Sequence, residues 1–449
     1  MLDKVCTDTN IMTVAPLNHA MPLRGPDISY DVHTTTESFK QLQQWVAEYG
    51  DVFPITQKTR KGPGLFVNDP DVIKHILIKN NKNYIKGVGF ERVKMLLGNG
   101  IIVSDGAFWR RQRRMIQPAF GRDVIAELSK LVEQLNQVFL TRWQMLAREN
   151  ACIDITEETN DLALQIILHS LFSDDVKTIY EQNDGNPFAI LTDDSARDLK
   201  LAVKFRGLSR IVGDIITQRR QSKAERMDFV SLFMAARDKD TGEPMSDKEL
   251  IDEVMTLIVA GSETSATTLN WVWYSLAKHP EVLARAQQEV DQASYTESPG
   301  FEHIEELPYL RQVVEEVLRI YPPVWLFTRK ALAQDEVNGL TIAPGTDIFI
   351  SPYFMHRHPR YWPQPEKFDP SRFSEEASKA QHKTAYIPFS AGPRRCIGDF
   401  FAIVENQLHF GLMLRHLTME YVEDHPIELA PEVNLRTRYP ITMRLHTRK

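Results

Sequence analysis

Phe389-Ser390-Ala391-Gly392-Pro393-Arg394-Arg395-Cys396-Ile397-Gly398 is the stretch on which the reading of this chain turns. The run that follows it, Asp399 to Leu417, is amphipathic and reads as a helix. Cys396 therefore falls at or just before a helix N-terminus. Unsatisfied N–H groups and the helix dipole favour an anion there, which lowers a thiol's pKa and promotes thiolate. A thiolate is a strong ligand for haem iron. Gly392 and Gly398 remove bulk where backbone would approach a flat macrocycle, and N–H donors aimed at the sulfur would tune it. The competing reading of a lone cysteine is a buried, inert thiol; the glycines, the arginines and the helix start set Cys396 apart from that case.

Upstream, one helix stands out. Ser246-Asp247-Lys248-Glu249 is a capping box that marks its start, and the periodicity continues to Lys278-His279-Pro280, where proline ends it. About thirty residues at about 1.5 Å each span roughly 45 Å. Val254 to Ala260 is apolar all round apart from Thr256, so the middle of the helix is predicted to be buried. There the sequence places a polar, glycine-containing break, Ala260-Gly261-Ser262-Glu263-Thr264-Ser265. A carboxylate and hydroxyls inside a buried helix are costly unless they have partners or a task. The alternative is a kink made by Ser and Thr bonding back to the preceding turn.

Around this helix the chain is predicted to be helical from about Asp71 to Arg319. Short strands are expected at Val52–Thr56, Gly64–Val67, Leu340–Ile342, Asp347–Ile350 and Ile441–Leu445. No repeats or flexible tether divide the 449 residues, so residues 1–449 are read as one domain. With 43% hydrophobic and 25% charged residues, the chain is of globular type. A net charge of -7 argues against nucleic-acid binding. The three cysteines, Cys6, Cys152 and Cys396, are far apart and form no disulfide framework, which suits a reducing cytoplasm. No run reaches the roughly eighteen apolar residues of a membrane span. The N-terminus, through Met21-Pro22-Leu23-Arg24-Gly25-Pro26, lacks a signal-peptide core. A cytoplasmic protein with no membrane anchor is expected.

The cysteine stretch resembles the haem-binding signature of the cytochromes P-450, F-x-x-G-x-R-x-C-x-G, at every defined position, from Phe389 through Gly392, Arg394 and Cys396 to Gly398. Further motifs extend the resemblance over nearly the whole chain. Glu316-Val317-Leu318-Arg319 is similar to the family's E-x-x-R. Phe368-Asp369-Pro370-Ser371-Arg372-Phe373 is similar to the later stretch whose arginine, here Arg372, joins that pair. The resemblance makes Glu316, Arg319 and Arg372 a structural network beneath the haem loop. The polar break resembles the oxygen-activation motif. Gly261 would let the helix open, Thr264 would hydrogen-bond bound dioxygen or an ordered water, and Glu263 would relay protons. Trp109 and Arg113 match a W-x-x-x-R that bonds a haem propionate, with Arg394 and Arg329 as further propionate contacts.

What the resemblance implies follows from these residues. The fold is mainly α with small β-sheets, a triangular prism holding haem b (iron protoporphyrin IX) between the long central helix and the helix after the cysteine loop. Cys396 is the metal ligand. The reaction is insertion of one oxygen atom of O2 into an organic substrate, by hydroxylation or epoxidation. Rival readings are a haem-thiolate peroxygenase or isomerase, or a haem sensor; the Glu263–Thr264 pair disfavours both. Because so little chain follows Cys396, electrons from NAD(P)H are expected through a separate partner, an acidic ferredoxin or flavodoxin-type donor with its reductase. It would be drawn to positive charge at Arg110, Arg111, Arg114 and Arg395. Pocket positions are Val88 and Phe90, Ile258, Val259 and Ala260, and Val324, Trp325, Leu326 and Phe327. All are apolar, which implies a hydrophobic substrate such as a fatty acyl chain, terpenoid or polyketide-like molecule. The alternative for this set is core packing. Between Phe172 and Arg219, where the family has two helices roofing the pocket, the segment is short and carries the loop-forming run Gln182–Pro187.

Overall fold

Two distant parts of the chain build the larger sheet. In the computed structural model, which describes residues 23–60, 62–191, 199–222 and 226–448, with side chains described only from 203 onward in the third segment, β1 (Val52–Thr56) and β2 (Pro63–Val67) form an antiparallel hairpin with Val52 opposite Val67. β3 (Tyr84–Lys86), β4 (Phe327–Ala331) and β5 (Asp347–Ile350) complete a five-stranded sheet of order β1-β2-β5-β4-β3. The β2–β5 pair is parallel, Gly64 beside Asp347, and the other pairs are antiparallel. The strands predicted at 52–56, 340–342 and 347–350 have those bounds; the one expected at 64–67 begins at Pro63, and the last runs Thr442–Thr447. The unbroken helical stretch expected from Asp71 is interrupted by β3 and by Cys152–Asp154. Three residues are too few to show strand alternation, and these strands are fixed by partners far along the chain. Cys6, Met21 and Pro22 lie outside the described residues.

Five helices position the site: α1 (Gly106–Ile116), α2 (Ile155–Phe172), α3 (Asp247–Lys278), α4 (Pro308–Ile320) and α5 (Asp399–His416). The capping box of α3 is present: Ser246 Oγ accepts from the Glu249 N–H and the Glu249 carboxylate accepts from the Ser246 N–H. The helix is continuous through Ala260–Ser265, so the expected break is not an opening of its backbone. Ser262, Thr264, Thr267 and Thr268 all donate their hydroxyls to the carbonyl four residues back, at 2.7–2.9 Å, which satisfies them inside the helix. Gly261 is small because α2 comes close. A Cβ there would lie 2.8 Å from Ile167 Cδ1. That contact replaces the local opening expected of Gly261.

The α4 network has the members foreseen. The fully buried Arg319 and Glu316 pair at 2.6 Å, and Arg372 reaches Glu316 at 3.5 Å. Arg319 also donates to the carbonyls of His356, Pro365 and Lys367. Burial pushes the pKa of His356 down to about 3. The neutral ring accepts from the Ile387 N–H at 2.8 Å through Nε2. Ile387 lies just before Phe389, so the network reaches the cysteine loop through one imidazole.

The roof segment has two helices, Asp175–Gln182 and Leu199–Ser222, with a turn and a 3-10 stretch, Pro187–Leu191, between the first helix and the residues not described. The first helix is only 8 residues long, in keeping with the short segment expected. Its base is pinned by the buried Arg219, which pairs with Asp228 and Asp175 at 2.7 Å each.

Candidate active site

The cysteine loop is held in an uncommon shape. Ser390 and Gly392 have left-handed backbone, φ 58° and 69°; for the serine this costs on the order of 1–3 kcal/mol. A Cβ on Gly392 would fall 2.1 Å from the Leu77 carbonyl oxygen. Its smallness therefore serves protein packing, not the macrocycle contact expected of it. Gly398 is different. Only Phe120 comes near its missing Cβ, at 3.8 Å, so the protein itself does not demand glycine there. The Cys396 N–H donates to the Phe389 carbonyl at 2.9 Å, tying the ends of the loop.

Cys396 is exposed and Phe389 half-buried. Burial raises the thiol's pKa; the Gly398 N–H donating to the sulfur, together with Arg113 and Arg395, pulls the other way without prevailing. The lowering expected from the helix start is thus outweighed; a metal ion bound at the sulfur would deprotonate the thiol outright.

On α3 the accessible residues form a mid-helix stripe, Val259, Ala260, Gly261, Glu263 and Thr264, with buried residues on both sides of it in sequence. A helix interior with solvent-reachable surface borders a cleft. Val88, Phe90, Val324 and Phe327 also keep accessible surface. Ile258 and Trp325 have none, and Leu326 is 7% exposed. These three are core residues, a correction to their expected place in the pocket. Trp325 packs edge-on against Phe39 and donates its indole N–H to the Glu432 carbonyl.

Charge gathers beside the loop. Arg394 lies over the Trp109 ring at 3.9 Å, donates to the Ser104 carbonyl at 2.7 Å and pairs with Asp105. Arg329, 4% exposed, donates to its neighbour's carbonyl, and its pKa is pushed down to about 10 by burial and then by Arg394. Burial, Arg329 and Arg394 also drive Lys86 well below its usual value, its ammonium 4.5 Å from the Phe90 ring centre. Asp105 pairs with Arg394, accepts from the Lys86 backbone N–H and draws on the charges of Lys86 and Arg329 from farther away. Lys86 and Asp105 are invisible in the sequence because nothing local marks them. Arg113 does not join this cluster; it donates to the Arg395 carbonyl at 2.9 Å and to Gln117.

The positive face expected from four arginines is largely offset. Arg111 pairs with Asp238 and Glu249, Arg114 with Asp240, and Arg395 with Asp399. Arg110 alone of the four has no carboxylate partner among the described residues. Also unforeseen, Glu263 pairs with Arg436, and Ser265 donates at 2.8 Å to the buried Glu405 of α5, whose pKa burial pushes up to about 8.

The residues fit an iron porphyrin. A cysteine sulfur with exposed surface stands close to a glycine with no tight neighbour among the described residues, and the positive charge of Lys86, Arg329 and Arg394 suits a group with two carboxylates. Among the described residues no helix is long and apolar enough to cross a membrane. The family model described as Cytochrome P450 matches residues 16–443. Cyclooctatin synthase of Streptomyces melanosporofaciens is 33% identical over 96% of this chain and 95% of its own. Cyclooctat-9-en-7-ol 5-monooxygenase of the same organism is 35% identical over 76% of each. The crystal structure of the cytochrome P450DA heme domain is similar in fold, with a TM-score of 0.82 and 23% identity over 92% of both chains. Signature loop, helical architecture and relatives converge: the chain belongs to the cytochrome P450 family, and it is a haem-thiolate monooxygenase.

Proposed function

We propose that residues 1–449 form one domain in which Cys396 ligates the iron of haem b, Gly398 gives the macrocycle room, and Lys86, Arg329 and Arg394 hold its propionates, with Trp109 beneath Arg394. The observation that carries this reading is the gathering of Lys86 and Arg329 near Arg394, itself paired with Asp105, beside a cysteine with exposed surface. Arg113 acts on the loop through the Arg395 carbonyl.

When bound, haem supplies O2 activation, one oxygen atom entering the substrate and the other leaving as water, with two electrons from NAD(P)H through a separate donor. The protein supplies the rest. Thr264 donates its hydroxyl to the Ala260 carbonyl at 2.7 Å, which leaves its oxygen lone pairs to accept a hydrogen bond. Glu263, partly accessible and next along the helix, carries protons toward it. Val88, Phe90, Val259, Ala260, Val324 and Phe327 line the substrate space. Their apolar surface stabilises a hydrophobic molecule at roughly 25 cal/mol per Å² and leaves a charged one without partners. A relative named for cyclooctat-9-en-7-ol supports an apolar substrate with few polar groups. The electron donor is read as an acidic ferredoxin or flavodoxin with its reductase, meeting Arg110, and the protein as cytoplasmic.

The test is ligation. Reduced protein with CO gives the strongly red-shifted Soret band of thiolate-bound haem, and Cys396→Ala abolishes it. Persistence of that band in the variant would refute the assignment.

A further inference from the structure

The acid on the central helix is held from the far end of the chain. The Glu263 carboxylate pairs with the Arg436 guanidinium, 173 residues later. The two side chains are 24% and 21% exposed, so neither is lost in the core. Arg436 stands in the strand Leu435–Thr437, which pairs with Leu429–Pro431 as a hairpin. That hairpin is fixed by three backbone bonds. The Leu435 carbonyl accepts from the Trp271 indole of α3 at 2.9 Å. The Leu435 N–H donates to the Pro323 carbonyl at 2.8 Å, and the Glu432 carbonyl accepts from the Trp325 indole at 2.8 Å. Both tryptophans are fully buried, and Trp271 stacks on Tyr321 with ring centres 3.9 Å apart.

The hairpin is thereby indexed both to α3, two turns beyond Glu263, and to the Pro323–Phe327 segment that brings Val324 and Phe327 to the substrate space. A solvent-facing ion pair contributes little to stability when two loose side chains must be ordered to form it. Here both backbones are already fixed, so the pair's effect is to place a carboxylate.

We propose that Arg436 is a positioning residue for the oxygenation reaction: it fixes the resting place of the Glu263 carboxylate, and the tryptophan-anchored hairpin passes changes in the pocket wall on to that carboxylate. This rests on the relay reading of Glu263 and Thr264 given above. Successive residues on a helix point about 100° apart, so a carboxyl held on the Arg436 side has a defined swing to reach the Thr264 oxygen. Losing Arg436 leaves the carboxylate to wander, and proton delivery loses its timing. In coupled turnover a substrate C–H, O2, two electrons and two protons yield hydroxylated product and water. When delivery fails, the same O2, two electrons and two protons leave as hydrogen peroxide and the substrate is unchanged. The peroxide formed per NAD(P)H consumed therefore reads the proposal directly.

The experiment compares the haem-loaded protein with Glu263→Gln, Arg436→Gln, Arg436→Lys and the Glu263→Gln/Arg436→Gln double variant, using a compound that shifts the haem spin state and a ferredoxin electron-transfer system. Product per NAD(P)H is expected to fall roughly 10-fold in Arg436→Gln, inside the ~10²-fold that a 1 Å misplacement can cost. Peroxide should rise to match, while the spin-shift midpoint stays within about 3-fold and Arg436→Lys recovers most of the coupling. The double variant should be no worse than Glu263→Gln. Thermal unfolding of the same four variants and the parent, with no turnover, should show non-additive effects of the two single substitutions. Full coupling in Arg436→Gln beside lost coupling in Glu263→Gln overturns the positioning role and leaves the relay standing. Full coupling in Glu263→Gln overturns the relay, and this proposal with it. Lost coupling in Arg436→Gln that Arg436→Lys does not restore, with additive unfolding, reduces Arg436 to a fold-maintaining role and overturns the proposal as well.

Discussion

Two charge clusters in this molecule differ in their balance of partners. Around α4, Glu316 meets Arg319 through both oxygens and also accepts from the Asp369 N–H, while Arg319 gives its remaining donors to carbonyls. Beside the cysteine loop, Lys86, Arg329 and Arg394 lie near Asp105; burial lowers all three pKa values, and repulsion adds to it, from Arg394 at Lys86 and Arg329 and from Arg110 and Arg113 at Arg394. In the first cluster the Glu316 and Arg319 groups meet within the protein, so its work is to hold the fold. The second carries more positive than negative charge, which is the balance expected of the propionate site proposed above. A full set of partners, rather than the mere presence of buried charge, separates structure from function here.

The comparison is open to attack where the effect is largest. Arg319→Ala leaves the Glu316 carboxylate buried without its cation, and should destabilise the protein by about 3–5 kcal/mol. Urea unfolding should show this with and without haem; a loss confined to the haem-loaded form would move Arg319 into the binding site. Glu405 sharpens the contrast from the other side, as a buried carboxyl with no cation paired to it among the described residues. One oxygen accepts from Ser265 and the other has no hydrogen-bond partner. With its folded pKa raised to about 8, the neutral form is favoured. The associated stability is whole below the unfolded value near 4.5 and is lost as pH rises through about 8. The unfolding free energy should fall by a few kcal/mol at most from pH 5 to pH 8, because a tenfold change in proton affinity is worth about 1.36 kcal/mol. Glu405→Gln should flatten most of that slope, and an unchanged slope would return the effect to other groups such as Glu253, which burial raises to about 7. The smallest effect tests the surplus itself. Arg329→Met should leave haem-free stability unchanged or slightly higher while weakening haem retention by roughly 10-fold, the value of one charge-assisted hydrogen bond of ~1.5 kcal/mol. Apomyoglobin capture of released haem measures it; a less stable apoprotein with haem retention intact would erase the distinction between the clusters.

What could be read from the sequence was local. The capping box at Ser246, the strands at 52–56 and 347–350, and the cysteine loop with α5 behind it each depend on spacing within a few residues. Pocket membership was legible only in part. Trp325 and Phe327 share a segment but not an environment: Trp325 precedes the strand and is drawn into the core by its bond to the Glu432 carbonyl, while Phe327 opens the strand and keeps accessible surface. Ile258 and Val259 divide in the same way around a helix. Lys86 and Arg436 act through partners that only the fold supplies, so no motif announces them. The thiol's raised pKa was also hidden, since burial, which outweighs the helix start at Cys396, is a property of the packed molecule.

The five-stranded sheet has a consequence in time. Gln57, just past β1, bonds the side chain of Asp347 in β5, 290 residues later. At roughly 5–20 residues per second on a ribosome, β2 waits about 15–60 s for the strand that pairs with it. A two-stranded hairpin is marginal in water by itself, and the waiting edge of β2 carries Leu65, Phe66 and Val67, all buried in the finished sheet. The nascent chain thus emerges with an apolar strand edge that its own later half must reach before another chain does. Synthesis speed over the intervening helices sets how long that competition lasts.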